Sequence, residues 1–185
     1  NAHFALFHLN KVNIAIPDST GFTAQIGDQR ARGLELELHA RSDRGWYAQA
    51  TYAYLDAKLT RFREILSTPT AEGLLPMLFD RSGNTPAFTP QHLASLWAAC
   101  DFGAVLTLTA GARYVGKQFV DEDNIYQIDG ALTLDIGLTY RRESALLRIH
   151  LKNVTSAEYE TRGFGAASVI PATPLTFKAT LGYSL

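Results

Sequence analysis

Apolar and polar residues alternate strictly over long stretches of the chain. At 31–40, Leu34, Leu36 and Leu38 alternate with Glu35, Glu37 and His39. At 105–117, Leu106, Leu108, Ala110, Ala112 and Tyr114 alternate with Thr107, Thr109, Gly111, Arg113 and Val115. At 131–141, Leu132, Leu134, Ile136, Leu138 and Tyr140 alternate with Thr133, Asp135, Gly137, Thr139 and Arg141. The pattern recurs at 146–153, where Leu147, Ile149 and Leu151 face away from Arg148, His150 and Lys152. It recurs again at 176–185, where Phe177, Ala179, Leu181, Tyr183 and Leu185 alternate with Lys178, Thr180, Gly182 and Ser184. A period of two marks a strand whose two faces meet different surroundings. Less regular apolar and aromatic runs at 2–14, 45–60 and 91–102 bring the expected total to about eight strands, with no long helix.

The connections alternate in length. Tight turns are predicted at 41–45, 101–103 and 141–144, and long loops at 15–30, 61–88, 118–129 and 155–173. Short turns on one end and long loops on the other are the habit of outer-membrane barrels. The tight turns are then periplasmic, the loops extracellular, and the last strand runs inward to Leu185.

Alternation alone does not say which face looks at solvent, since a soluble barrel also alternates, with apolar residues inside. Three features favour lipid on the apolar side. The polar face holds weakly solubilising residues such as Thr107, Thr109, Gly111, Thr133, Gly137, Thr180 and Gly182. Aromatics gather near strand ends, at Trp46, Phe102, Tyr114, Tyr140 and Tyr183, as interfacial girdles require. The runs also reach about 10–16 residues, beyond the roughly 5–6 of a soluble strand. The expected architecture is an all-β, antiparallel up-and-down transmembrane barrel. Lipid and the girdles take Trp46, Leu106, Leu108, Tyr114, Leu132, Leu134, Ile136, Leu138, Tyr140, Phe177, Leu181 and Tyr183. Glu35, Glu37, His39, Arg113, Asp135, Arg148, His150, Lys152 and Lys178 face the lumen.

Composition narrows the field. The 185 residues are 46% hydrophobic and 19% charged, with a net charge of −1, so nothing argues for nucleic acid or for an acidic solvating tail. No run approaches a membrane helix of about 18 apolar residues, and the mean hydropathy of −0.04 is blind to a barrel, in which every second residue faces lipid. Cys100 is the sole cysteine, so no internal disulfide forms. The chain opens directly on a strand-like run, with no signal peptide, as a mature form or part of a longer chain would.

Several segments resemble, in order, the C-terminal barrel of TonB-dependent outer-membrane receptors. These are ARGLELELHAR at 31–41, GWYAQATYAYLDAKL at 45–59, TPAFTPQHLASLWAACDF at 85–102, ARYVGKQFVDEDN at 112–124 and LRIHLKNVTSAEYETRG at 147–163. In the last of these, Asn153, Val154, Thr155 and Tyr159 occupy the family's Asn-Leu-Phe-Asp-x-x-Tyr segment. The resemblance implies a barrel of twenty-two strands around an N-terminal plug, of which these are the last eight or so. It further implies that the full-length parent imports a ferric siderophore or similar nutrient, powered by the inner-membrane TonB complex. The final residue is Leu185 where the family usually has Phe or Trp. Residues 1–185 read as one barrel segment without plug or TonB box, hence not an energised transporter by itself.

Catalytic and metal chemistry find no support. The histidines His3, His8, His39, His92 and His150 lack ligand spacing, and the serines lack a nucleophile elbow. Asp121, Glu122 and Asp123 read as a solvated acidic loop, and Gly163-Phe164-Gly165 has no phosphate-binding helix after it. No cofactor is expected. The partners expected are the bilayer and lipopolysaccharide. For a parent receptor, the loop residues Arg61, Arg63, Arg81, Tyr126 and Arg162 are candidates for contact with an anionic ferric chelate. Two alternatives stay open: a stand-alone eight-stranded barrel with a structural or binding role, and a soluble ligand-binding barrel with its faces reversed.

Overall fold

A computed structural model describes residues 1–17, 23–163 and 168–184, with only the backbone described at 16–17 and 23–26. Eight strands form one antiparallel sheet: β1 (Ala2–Pro17), β2 (Thr23–Arg41), β3 (Trp46–Arg61), β6 (His92–Phe102), β7 (Leu106–Val115), β10 (Ala131–Arg142), β11 (Ala145–Lys152) and β14 (Thr176–Tyr183). Each pairs with its neighbour in that order, so the sheet is a pure up-and-down meander. No described residue is helical.

The tight turns fall where the alternation breaks: between β2 and β3, β6 and β7, and β10 and β11. Each contains a residue with positive φ, namely Gly45, Gly103 and Glu143. All three lie on one end of the sheet, and the long connections all lie on the other. Those connections are not structureless. The predicted loop at 61–88 carries a hairpin of β4 (Arg63–Thr70) and β5 (Gly73–Asp80). The loop at 118–129 carries the short pair β8 (Gln118–Phe119) and β9 (Gln127–Ile128). The loop at 155–173 carries β12 (Glu160–Gly163) and β13 (Val169–Pro171).

The predicted loop at 15–30 is the largest correction. β1 continues to Pro17 and β2 already starts at Thr23, making β2 19 residues long. Asn10 pairs with Arg30 and Lys11 with Gln29, and a bulge follows before Ile14 pairs with Gly27. Asn13 sits in the bulge at φ 60, and its amide donates to the Asp28 carboxylate at 3.1 Å. This segment leaves the region where two environments must be separated, so it can be a strand without alternating. Leu185, Phe164 and Gly165 lie outside the described residues.

Register sorts the side chains into two faces. On one, Ala40, Ala48, Ala98, Ala110, Ile136, Leu151 and Phe177 form a continuous row across the sheet. Parallel rows hold Leu38, Ala50, Leu96, Ala112 and Leu134, then Leu36, Tyr52, Ala94, Tyr114 and Leu132. On the turn side lie Trp46, Cys100, Leu108, Leu138, Ile149 and Ala179, then Phe102, Leu106, Tyr140, Leu147 and Leu181. Tyr183, opposite Ala145, ends the face.

Among the described residues nothing covers this apolar face: Leu96 is 51% exposed and Ile136 50%. Among the described residues Ala57, Leu59, Val120 and Ile128 are buried, all at the loop end, as are Pro86 and Pro90. A soluble sheet of this size would bury one face as its core.

Gly33 shows how tightly the register is specified. A Cβ there would collide with the backbone carbonyl oxygen of Tyr54 and lie 2.8 Å from the Phe7 ring. Phe7 pairs with Gly33 across β1–β2 and covers the bare glycine. Gly33→Ala is expected to cost about 1–3 kcal/mol, measured as a lowered urea midpoint of the refolded barrel. A midpoint equal to wild type would contradict the packing.

Candidate functional site

The second face is polar and carries all nine charged positions predicted to share one side. Its rows run His3, Glu37, Thr51, Ser95, Arg113 and Thr133, then His39, Gln49, Trp97, Gly111 and Asp135. Toward the turns follow Arg41, Tyr47, Ala99, Thr109, Gly137, His150 and Lys178. Arg148 lies between Thr139 and Thr180, Lys152 faces Thr176, and Glu35 lies between Ala5 and Ala53.

Among the described residues these charges do not form ion pairs along the rows. Glu37 instead makes a local network, with His39 Nε2 at 2.8 Å and Gln49 Nε2 donating at 3.2 Å. His39 Nδ1 meets the Tyr47 hydroxyl at 3.0 Å, and the Tyr47 ring packs edge-on against Trp97. Tyr47 and Trp97 belong to the polar face although both are aromatic, and only the β3–β6 register reveals that. Glu35 and Glu37 stand on β2 and Asp135 on β10, while Arg148, His150, Lys152 and Lys178 cluster on β11 and β14.

The five histidines do not converge. His3, His39 and His150 lie on the polar face, while His8 and His92 lie on the other, opposite Arg32 and Tyr54. Among the described residues no cluster of three His, Cys, Asp or Glu side chains could hold a metal ion.

At the loop end, three of the predicted ligand contacts are engaged by carboxylates. Arg61 holds Asp28 at 3.0 Å, and Asp28 also caps the β1 bulge, so one side chain ties three strands together. Arg63 holds Asp80 at 3.1 Å. Hydrogen bonds from the Ser82 hydroxyl and amide keep the Asp80 carboxyl below its ordinary range. Arg81 holds Glu64 at 2.8 Å and stacks 4.9 Å over the Phe79 ring. An incoming anion would have to displace these carboxylates, whose positions the arginines alone did not reveal. Tyr126 and Arg162 are exposed on other connections and do not join the arginine group. Arg162 lines a small cleft with Phe88, Gln118 and Gly163.

Two of these connections are clasped together. The Asn124 Oδ1 accepts from the Thr85 amide at 2.7 Å, and its Nδ2 donates to the Thr85 carbonyl at 2.7 Å. Asn84 Nδ2 donates to the Glu122 carbonyl at 2.8 Å. Beside this clasp, burial and the neighbouring Asp123 push Asp121 up to about 6. Asp123, hydrogen-bonded by Asp121 and by the Ile125 amide, lies below the ordinary range.

The clasp is therefore sensitive to the protonation of Asp121. The contribution of Asp121 is full below the ordinary value of 3.8 and is lost as pH rises through about 6. Hydrogen exchange of the 120–125 amides, corrected for intrinsic rates, should be faster at about pH 7.5 than at about pH 5. Asp121→Asn should flatten that difference, and an unchanged pH dependence in the variant would refute the assignment.

Residues 1–155 match the family model described as TonB dependent receptor-like, beta-barrel. The chain belongs to the TonB-dependent receptor family. The ferrichrome outer membrane transporter/phage receptor of Escherichia coli K12 is 31% identical over 166 residues, covering 84% of this chain and 20% of that protein. The ferrioxamine receptor of Yersinia enterocolitica is 25% identical over 189 residues, covering 97% of this chain and 24% of the receptor. The solved structure of the siderophore receptor PiuA from Acinetobacter baumannii superposes with a TM-score of 0.81 at 22% identity, over 98% of this chain and 26% of PiuA. The chain thus spans about a fifth to a quarter of the length of these TonB-dependent relatives. It is an outer-membrane β-barrel segment, and the relatives are transport receptors. The reversed, soluble barrel does not fit that family.

Proposed function

We propose that this chain is part of the wall of a TonB-dependent receptor whose complete form takes up a ferric siderophore. The carrying observation is the open sheet. Among the described residues β1 and β14 stand at its two edges with no pairing between them, and lipid cannot satisfy the backbone groups of an open edge. Further strands beyond both edges complete the barrel in this reading. A stand-alone eight-stranded barrel would require β1 and β14 to pair. Residues 1–185 act as one barrel segment, with no catalytic role.

In the same reading the apolar rows face lipid, with Trp46, Tyr114, Tyr140 and Tyr183 near its borders. The rows holding Glu35, Glu37, His39, Arg113, Asp135, Arg148, His150, Lys152 and Lys178 face the lumen. The turns are periplasmic, and the hairpin-bearing loops meet the ligand outside. Arg61, Arg63, Arg81, Tyr126 and Arg162 then supply contacts for an anionic chelate, at the expense of the Asp28, Asp80 and Glu64 pairs. Energised uptake needs a plug and the inner-membrane TonB complex.

The test is growth of an iron-starved strain whose siderophore uptake depends on the full receptor gene. Ferrichrome and ferrioxamine serve as the first compounds, since the two relatives carry those names. Growth should require both the receptor and TonB. Growth on a ferric siderophore in the absence of TonB would overturn the proposal, as would growth on none of a broad siderophore panel.

A further inference from the structure

The hairpin of β4 and β5 leaves large apolar side chains in water. Its register puts Ile65, Pro69, Leu74, Pro76 and Leu78 on one face, with the Arg63–Asp80 pair at the foot of that face. Leu74 is 69% exposed and Leu78 59%. On the other face Leu66, Leu75 and Met77 are exposed as well, while Glu64, Phe79 and Arg81 pack together at the foot. β4 packs beside β1 and β2, and no described residue covers Leu74 or Leu78 on β5. Apolar side chains gathered in this way mark a binding surface.

The edges of the hairpin exclude one kind of occupant. The Arg81 amide donates to the Phe62 carbonyl at 2.8 Å, which sets the phase of the ladder. The pairs 64–79, 66–77, 68–75 and 70–73 then exchange hydrogen bonds, and the pairs 67–76 and 69–74 do not. Pro69 and Pro76 therefore sit where an N–H would point outward, one on each edge. Neither edge offers a complete ladder to an added strand, from a partner or from a second copy. The bilayer is distant too. β3 runs on from Tyr54 to Arg61, so the hairpin begins about 20 Å of strand beyond the outer aromatic row. A free ligand with an apolar part fits, and the foot of the same face has a place for its charge. Both members of the Arg63–Asp80 pair are about half exposed, so the pair is weak and easily exchanged. Asp80 keeps the Ser82 amide at 2.9 Å when Arg63 turns away, so Arg63 can meet an anion without stranding a carboxylate. A cation at the foot of an apolar face about 20 Å long matches the two ends of an amphiphile.

We propose that this hairpin binds the apolar tail of an amphiphilic ferric chelate, with Leu74 and Leu78 against the tail and Arg63 on the anionic head. The proposal rests on the reading given under the proposed function and narrows its substrate class to chelates that carry an acyl chain. Each methylene moved from water onto the leucines strengthens binding by up to about fourfold. A chain of a few carbons, half covered, then outweighs the weak exchange at Arg63.

The test uses the full receptor in lipid nanodiscs, with the signal of empty nanodiscs subtracted, because detergent would itself occupy the face. Two synthetic ferric chelates share one citrate-dihydroxamate head, and one of them carries an octanoyl chain. Wild type should bind the octanoyl chelate at least about tenfold more tightly. Leu74→Ser/Leu78→Ser, at two exposed positions, should abolish that advantage and leave the affinity for the bare chelate unchanged. Equal affinity of wild type for the two chelates, or an advantage that survives in the serine variant, would overturn the proposal. Dansylaminoundecanoic acid, an amphiphile without iron, separates the hairpin site from the reading beneath it. It should bind wild type with blue-shifted emission, and bind Leu74→Ser/Leu78→Ser and Arg63→Gln at least about tenfold more weakly. Absence of saturable binding would refute the hairpin site even in a receptor that supports growth on a siderophore. Saturable binding to a receptor that supports growth on none would instead refute the ferric part and keep the amphiphile site. A wild-type dimer that the serine variant converts to a monomer would assign the face to a second copy and sink the proposal.

Discussion

Ile136→Arg will destabilise the receptor by about 2–4 kcal/mol when it is unfolded by urea from phospholipid vesicles. Ile136 lies mid-strand on β10, between Ala110 and Leu151, in the row that also holds Ala40, Ala48, Ala98 and Phe177. Among the described residues no side chain covers it, and it is 50% exposed. A guanidinium there would have to shed water into hydrocarbon, with no carboxylate in its row to meet it. The control is Thr51→Arg on the opposite face. Thr51 pairs with Glu37 and Ser95, so the new charge faces water and a carboxylate, and the cost should stay within about 1 kcal/mol. If both substitutions cost the same, the assignment of faces is wrong. If Thr51→Arg is the more damaging, the faces are reversed.

Asn153→Ala should have an effect of the same size, by a different route. Asn153 is 4% exposed and sits at φ 52. Its Nδ2 donates to the Ala157 carbonyl at 2.9 Å and to the Thr173 carbonyl at 3.4 Å, and its Oδ1 accepts from the Ala157 amide at 2.9 Å. The Asn153 amide donates to Asp135 Oδ1 at 2.9 Å, so the exit of β11 is bolted to β10.

Alanine would leave the part-buried backbone groups of Ala157 and the Thr173 carbonyl without these partners and would keep a Cβ in left-handed backbone without the local hydrogen bonds that let asparagine tolerate it. The summed cost is about 3–4 kcal/mol. Asn153→Gly relieves the backbone part alone and should recover about 1 kcal/mol of it. Protease nicking within 154–173, monitored in folded receptor, should rise sharply for the alanine variant and less for the glycine variant. Equal resistance of the alanine variant and the wild-type chain would show that the asparagine does not organise the loop.

Legibility followed the environment of each segment. β10 is readable from Leu132 to Tyr140 because every second side chain there meets a different medium. The hairpin of β4 and β5 is not. Pro69 and Pro76 argue against a central strand, yet both strands here are edges, where proline is tolerated. The outer ends of β1 and β2 resemble a loop in sequence for a related reason. Asp28, Gln29, Arg30 and Arg32 show no alternation, because both faces are polar there and the backbone ladder holds the strand.

The candidate site was half legible. The nine charged positions of the polar face follow from parity, and they do share a face. The arginines at 61, 63 and 81 look available in sequence because their partners, Asp28, Asp80 and Glu64, lie on other strands. The signal missed was Asp28, whose place within β2 opposite Arg61 is visible only once β2 is known to begin at Thr23.

The sequence by itself determined the period of two, the eight principal strands, the alternation of turns and loops, and the family. Those depend on neighbours close along the chain and on the medium each face meets. Only the tertiary structure decided which rows line up, that Tyr47 and Trp97 join the polar side, and that Asn124 and Asn153 fasten the loop end. It also set the strand order, in which β1 and β14 stand at the two ends among the described residues. These depend on register and on contacts between residues far apart in sequence, and a slip of one residue would turn every side chain to the other face.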